Sequence, residues 1–123
     1  VATAQNCLDS YFPAEEFRRR LAQSDAPAAR LLPAALEGWF EVYQRDWGLA
    51  GFINWDVMAG AWLVHPELFL PGDSVITPSA ASLARGELLG DGPALGVRLP
   101  RIRDREAYRR HVYDAILSAR IGA

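Results

Sequence analysis

Hydrophobic positions along the chain recur mostly at intervals of three and four residues, the spacing that places apolar side chains on one face of a helix. Capping residues, prolines and glycines mark where these helices begin and end. Four helices are predicted, over 13–22, from the caps Ser24 and Asp25 to Trp47, over 54–64, and from Asp104 onwards. Pro33 lies inside the second helix and is expected to kink it or split it in two.

The pattern changes after the third helix, which is apolar nearly all round and is therefore expected to be buried. Short apolar runs interrupted by Gly90-Asp-Gly-Pro93 predict a hairpin with strands near 83–89 and 94–99. Neither an internal repeat nor a linker divides the sequence. The prediction is one α/β domain or fragment over 1–123, mainly helical with a terminal β-hairpin.

Composition narrows the functional classes. Half of the residues are hydrophobic and 23% are charged, which is too apolar for disorder and too interrupted for a membrane span. The 13 basic residues, all arginine, nearly balance 15 acidic ones, so neither nucleic acid nor a membrane surface is an expected partner. The single cysteine, Cys7, and the missing signal segment favour a reducing cytoplasm.

Several kinds of active site are disfavoured by the residues themselves. Two histidines and one cysteine, which do not cluster in sequence, argue against a zinc site, and no glycine-rich phosphate loop is present. His65 and His111 are interpreted as structural, because neither has a visible carboxylate partner in sequence. Asn6 could face a site, although a loop-capping role is favoured.

The stretch Asn54-Trp55-Asp56 follows a glycine-rich loop and opens the third helix. Asp56 has two interpretations: it satisfies free N–H groups and the dipole of its own helix, or it points outward as a metal ligand or acid/base group. Trp55 is either core or a ligand-stacking residue. The aromatic stripe of Trp39, Tyr43 and Trp47 on the second helix is most often core at such spacing.

The segment Gly51-Phe-Ile-Asn-Trp-Asp-Val-Met-Ala-Gly-Ala-Trp-Leu-Val-His-Pro-Glu-Leu-Phe69 resembles the late motif of the nucleoside hydrolases, in which a His-Asp or Trp-Asp pair begins a helix rich in small apolar residues. The likeness continues in order on both sides. Leu8 to Phe17 with Pro13 fits a strand-to-helix step, and Leu83-Ala-Arg-Gly-Glu87 with Val97 and Asp104 fits the family's terminal hairpin and helix. The resemblance implies the C-terminal third of an open α/β fold with a mostly parallel sheet.

The resemblance also implies a function, the cleavage of the N-glycosidic bond of ribonucleosides with the help of calcium. Asp56 would be the late calcium ligand. Trp55, in place of a histidine acid, would stack on the base and favour purines. Tyr43 and Trp39 would close over the substrate, and Asn54 would line the same site. The family's aspartate-rich N-terminal motif is missing, so this chain is expected to be inactive alone.

Two other classes of function stay open. The chain could be a non-catalytic interaction module of the same fold, which would form a homo-oligomer to bury the apolar third helix. It could also be a small-molecule-binding domain without catalysis, whose purine affinity would not depend on calcium.

Overall fold

The computed structural model describes residues 7–119, which form a mixed α/β arrangement of helices and three small antiparallel sheets. The helices are α1 (Ala14–Ala22), α2 (Pro27–Trp47), α3 (Trp55–Val64), α4 (Ala80–Ala84) and α5 (Arg105–Ser118). The strands are β1 (Tyr11–Pro13), β2 (Gly51–Ile53), β3 (Phe69–Leu70), β4 (Asp73–Ile76), β5 (Leu95–Arg98) and β6 (Arg101–Ile102). Short 3₁₀ turns occupy Leu8–Ser10 and Pro66–Leu68.

The core is built on the β1–β2 pair, which α1, α2 and α5 surround. Phe12 and Phe52 are register partners and stack with ring centroids 5.6 Å apart. Phe17 from α1 and Tyr113 from α5 pack edge-on or tilted against these rings, and all four side chains are buried. The strands thus bring the three helices around a single aromatic core.

All four predicted helices agree closely with the structure, with small shifts at their ends. The first begins at Ala14, because Pro13 still belongs to β1. Pro33 does not split the second helix, which is continuous from Pro27 to Trp47 and ends at Gly48, whose φ of 66° is readily available only to glycine. The closing helix is capped by the Asp104 side chain, which accepts hydrogen bonds from Glu106 and Ala107 N–H.

The prediction that the third helix is buried all round is wrong. Only Met58 and Ala61 of α3 are buried, whereas Leu63 is 82% and Val64 69% exposed. Periodicity could not reveal this, because an apolar sequence does not say which side has neighbours. One face of α3 lies on the core, and the opposite face has no cover from the rest of residues 7–119.

The predicted hairpin is half right. Strand 94–99 is observed as β5, but its antiparallel partner is β4 and not 83–89. Ser79 and Ser82 form a reciprocal capping box that begins α4, so the first half of 83–89 lies at a helix end and in a turn. One isolated parallel bridge joins Thr77 and Leu89.

The coarse α/β class is confirmed, but the sheets differ from those of a nucleoside hydrolase. The strand pairs of residues 7–119 are all antiparallel, and each sheet has two strands. Among these residues no helix is long and apolar enough to cross a bilayer.

Candidate functional site

Hydrogen bonds from the turn at Cys7–Ser10 hold the start of α3 in place. Asn54 N–H donates to the carbonyl of Ser10 at 3.1 Å, and the buried Ser10 hydroxyl donates to the carbonyls of Cys7 at 2.7 Å and Asn54 at 3.2 Å. The side chain of Asn54 makes no capping bond to its helix. The turn at Cys7–Ser10 therefore fixes where Trp55 and Asp56 leave the core, a role that the sequence alone gave no sign of.

Trp55 and Tyr43, twelve residues apart in sequence, are directly bonded. The indole Nε1–H of Trp55 donates to the Tyr43 hydroxyl at 2.8 Å, and that hydroxyl donates to the carbonyl of Ile53 at 3.4 Å. Tyr43 is fully buried and Trp55 is partly exposed. The phenol therefore acts as a support that orients the indole and itself contacts no solvent.

The aromatic stripe of α2 continues this cluster to the surface. Tyr43 lies between two indoles, with its ring centroid 5.2 Å from that of Trp39 and 4.3 Å from that of Trp47, both edge-on. Trp39 is 45% and Trp47 55% exposed. Trp39, Tyr43 and Trp47 thus form the stripe that their four-residue spacing predicted. Tyr43 was expected to close over a substrate, but it is fully buried and reaches the site only through its bond to Trp55.

Asp56 is exposed in the first turn of α3, beside the buried thiol of Cys7. It makes no hydrogen bond or ion pair to another residue of the described 7–119 range. Burial raises the pKa of the Cys7 thiol, and the negative charge of Asp56 raises it further. Within residues 7–119, its oxygens accordingly have no partner that would compete with a ligand.

The described residues do not by themselves form a calcium site. Calcium prefers about six to eight oxygen ligands, and one carboxylate provides two oxygens at most. Within residues 7–119, no group of three or more His, Cys, Asp and Glu side chains could hold a metal ion. Asp56 fits the expected donor chemistry, but it could only complete a site made largely of other ligands. Asn6 lies outside the described residues.

The interpretation of His65 as lacking a carboxylate partner is wrong. Its Nδ1 lies 3.0 Å from an oxygen of Glu67, and its ring packs edge-on against that of His111 with centroids 4.1 Å apart. The sequence His65-Pro-Glu67 carried a signal for the carboxylate contact, since a tight turn returns the chain over two residues. The contact with His111 depends on how α3 and α5 pack, which the sequence does not show.

Comparisons with known proteins identify no relative of this chain. No family model matches the chain, no curated protein matches it, and no solved structure matches it. The functional argument consequently rests on this chain's own residues and their geometry.

Proposed function

We propose that this chain is the C-terminal part of a ribonucleoside hydrolase, which cleaves the N-glycosidic bond of purine-type nucleosides to ribose and free base. The observation that carries the proposal is the juxtaposition at the start of α3. An indole oriented by a buried tyrosine is followed directly by an exposed carboxylate whose oxygens have no partner among residues 7–119. One residue could contact a flat base while the next binds a cation near the sugar.

Asp56 would contribute a cation ligand in the complete enzyme. Calcium, when bound there, would orient the ribose hydroxyls and activate water for attack on the anomeric carbon. The carboxylate suits this role because hard cations prefer charged oxygen donors and because no residue within 7–119 competes for it. Its place in the first turn also fixes its direction relative to Trp55.

Trp55 would stack on the base. Stacking of a base on an aromatic side chain contributes about 1–3 kcal/mol, and a purine offers the larger overlap. The bond to Tyr43 holds the indole plane before the substrate arrives, so less side-chain freedom is lost on binding. The exposed indole of Trp39 packs against Tyr43, and Asn54 directly precedes Trp55; both would add contacts around the base.

The decisive experiment compares two lengths of the protein in one assay. A longer product that includes an N-terminal aspartate-rich motif should release base from purine nucleosides in the presence of calcium, and the 123-residue chain should not. Asp56→Asn should abolish activity of the longer product and weaken its calcium binding. Asp114→Asn, which alters an exposed carboxylate of α5, is the matched control and should change neither.

Nucleoside hydrolysis by the 123-residue chain alone would refute the proposal that it needs further residues for activity. Full activity of the Asp56→Asn variant would refute the assignment of the cation ligand.

An oligomerising interaction module is the second candidate, and the exposed apolar face of α3 favours it. Leu63 and Val64 present large aliphatic surfaces to solvent, which a partner would be expected to cover. Size-exclusion chromatography with light scattering tests this candidate, since a monomer at all accessible concentrations would contradict it.

A further inference from the structure

Two imidazoles meet where the C-terminal end of α3 approaches the middle of α5. The rings of His65 and His111 are 4.1 Å apart between centroids and are inclined by 65°. Both side chains are partly exposed, so water and ions reach them. Because they come from different elements, any ligand that binds both nitrogens would link the end of α3 to α5.

Glu67 determines which ring nitrogen of His65 carries the proton. Its oxygen lies 3.0 Å from Nδ1 of His65, so a hydrogen bond there places the proton on Nδ1 and leaves the Nε2 lone pair of the neutral ring free. A carboxylate that holds one nitrogen while the other faces a metal is the usual arrangement around metal-bound histidines.

The surroundings favour nitrogen ligation over binding of a large polar molecule. The pair lies in a groove of about 450 Å³ whose other walls are mostly small aliphatic side chains. These include Val57, Val64, Val112, Ala115 and Ile116. The groove supplies few competing polar groups, and its open form gives access to the two rings.

We propose that His65 and His111 together bind one divalent transition-metal ion of the zinc, nickel or copper class, with Glu67 as a positioning residue. Imidazole nitrogen suits these ions, whereas calcium takes oxygen ligands. Two protein ligands leave the other coordination positions to water, which is consistent with the absence of a three-residue cluster within 7–119. The site is separate from Asp56, which lies about 14 Å away along α3 at the helical rise per residue.

The test uses the chelator-treated 123-residue chain and titrates it with zinc chloride, nickel chloride and calcium chloride by calorimetry. Zinc and nickel should bind with one ion per chain and raise the unfolding temperature, because the ion links two elements only in the folded state. Calcium should give no such signal, so this result is independent of the proposed hydrolase activity.

Variants assign the ligands. His65→Asn and His111→Asn should each abolish the zinc signal, and Glu67→Gln should weaken binding by about 10–100-fold, as loss of an outer carboxylate usually does. Cys7→Ser is the control for the chain's only thiol and should bind zinc like the parent. Circular dichroism would show whether each variant is folded.

Nuclear magnetic resonance supplies a measurement that needs no variant. Nickel should broaden the ring signals of both histidines before any other signals of the chain. Unchanged ring signals, no zinc binding by the parent chain, or zinc binding by either histidine variant as tight as that of the parent would overturn the proposal.

Discussion

The indole of Trp55 is bonded to the phenol of Tyr43 at 2.8 Å, and this bond joins the start of α3 to the middle of α2. Since the same phenol donates to Ile53, a single buried hydroxyl satisfies one donor and one acceptor on the segment that leads into α3. Removal of the hydroxyl would leave both groups without their partner, and the indole would lose its fixed orientation.

Tyr43→Phe should therefore lower the free energy of unfolding by about 1–3 kcal/mol, the usual cost of leaving buried polar groups unpaired. Of the four indole N–H signals in a ¹H–¹⁵N spectrum, that of Trp55 should move most and exchange faster with solvent. Tyr113→Phe is the matched control, because its buried hydroxyl has no partner among the residues described. Equal stability losses for the two variants would contradict the importance of the Trp55 bond.

Asp56→Ala should have little effect on stability. The exposed carboxylate has no hydrogen bond or ion pair within residues 7–119, and its interaction with the helix dipole contributes about 0.3–1 kcal/mol in low salt and less in high salt. Asp104→Ala removes a real cap from α5 and should cost about 0.5–2 kcal/mol in urea unfolding. In high salt the Asp104 variant should thus be clearly the less stable. The reverse order would mean that Asp56 serves its own helix and would weaken its assignment as a cation ligand.

Alkaline pH should destabilise the fold through two buried tyrosines. Burial raises the pKa of Tyr108 and that of Tyr113 well above their usual value. The folded chain keeps both phenol protons where the unfolded chain, with ordinary values of about 10, loses them. Their contribution is complete below about pH 10 and is lost as the pH rises further, at up to about 1.4 kcal/mol per pH unit for each tyrosine.

Urea unfolding between pH 8 and 11 measures this loss. Tyr108→Phe and Tyr113→Phe should each make the decline shallower and should be near neutral at pH 7, because neither hydroxyl has a partner within residues 7–119. A decline of the same slope in the double variant would show that other groups cause it.

Alanine substitutions at two glycines should have opposite effects on stability, because one glycine makes a close backbone contact and the other lies in an exposed helix. A Cβ at Gly51 would lie 2.2 Å from the carbonyl oxygen of Phe12, so Gly51→Ala must displace β1 or β2 and should be strongly destabilising. A Cβ at Gly38 meets nothing within 4 Å, and Gly38→Ala in the exposed part of α2 should stabilise by about 0.5–1 kcal/mol. Thermal unfolding of both variants checks the opposite signs, and a stable Gly51→Ala protein would mean that the two strands are not as close as described.

The sequence predicted the helices well because their signals are local. Gly48 ends α2 and Asp104 begins α5 through interactions within a few residues. The pairing of β4 with β5 depends on residues 19 to 25 positions apart, and Ser79 offered a local alternative that turned part of the predicted strand into a helix. Local patterns cannot decide between such competing partners.

For the candidate site too, local spacing predicted some features, whereas others depend on tertiary packing. The four-residue spacing of Trp39, Tyr43 and Trp47 was enough to place them on one face, and the position of Asp56 in the first turn followed from its neighbour Asn54. That Tyr43 is buried as a support and that the aliphatic side of α3 faces solvent are consequences of packing. The spacing of residues along one helix does not contain that information.

The exposed face of α3 yields the sharpest comparison between the two candidate functions. In the 123-residue chain Leu63 is 82% exposed, so Leu63→Gln should change the free energy of unfolding by no more than about 0.5 kcal/mol. Met58→Ala, on the opposite and buried face, should cost about 2–5 kcal/mol and serves as the control that the assay detects a packing loss.

The longer product should respond differently if the chain belongs to a hydrolase. There the remainder of the enzyme would cover α3, and Leu63→Gln should cost about 2 kcal/mol or more, since a buried leucine side chain contributes about 1.5–3 kcal/mol. An interaction module predicts instead that Leu63→Gln dissociates an oligomer of the 123-residue chain, which light scattering would detect. If the substitution changes neither the stability of the longer product nor the mass of the short chain, this face of α3 is covered in neither of the two proposed ways.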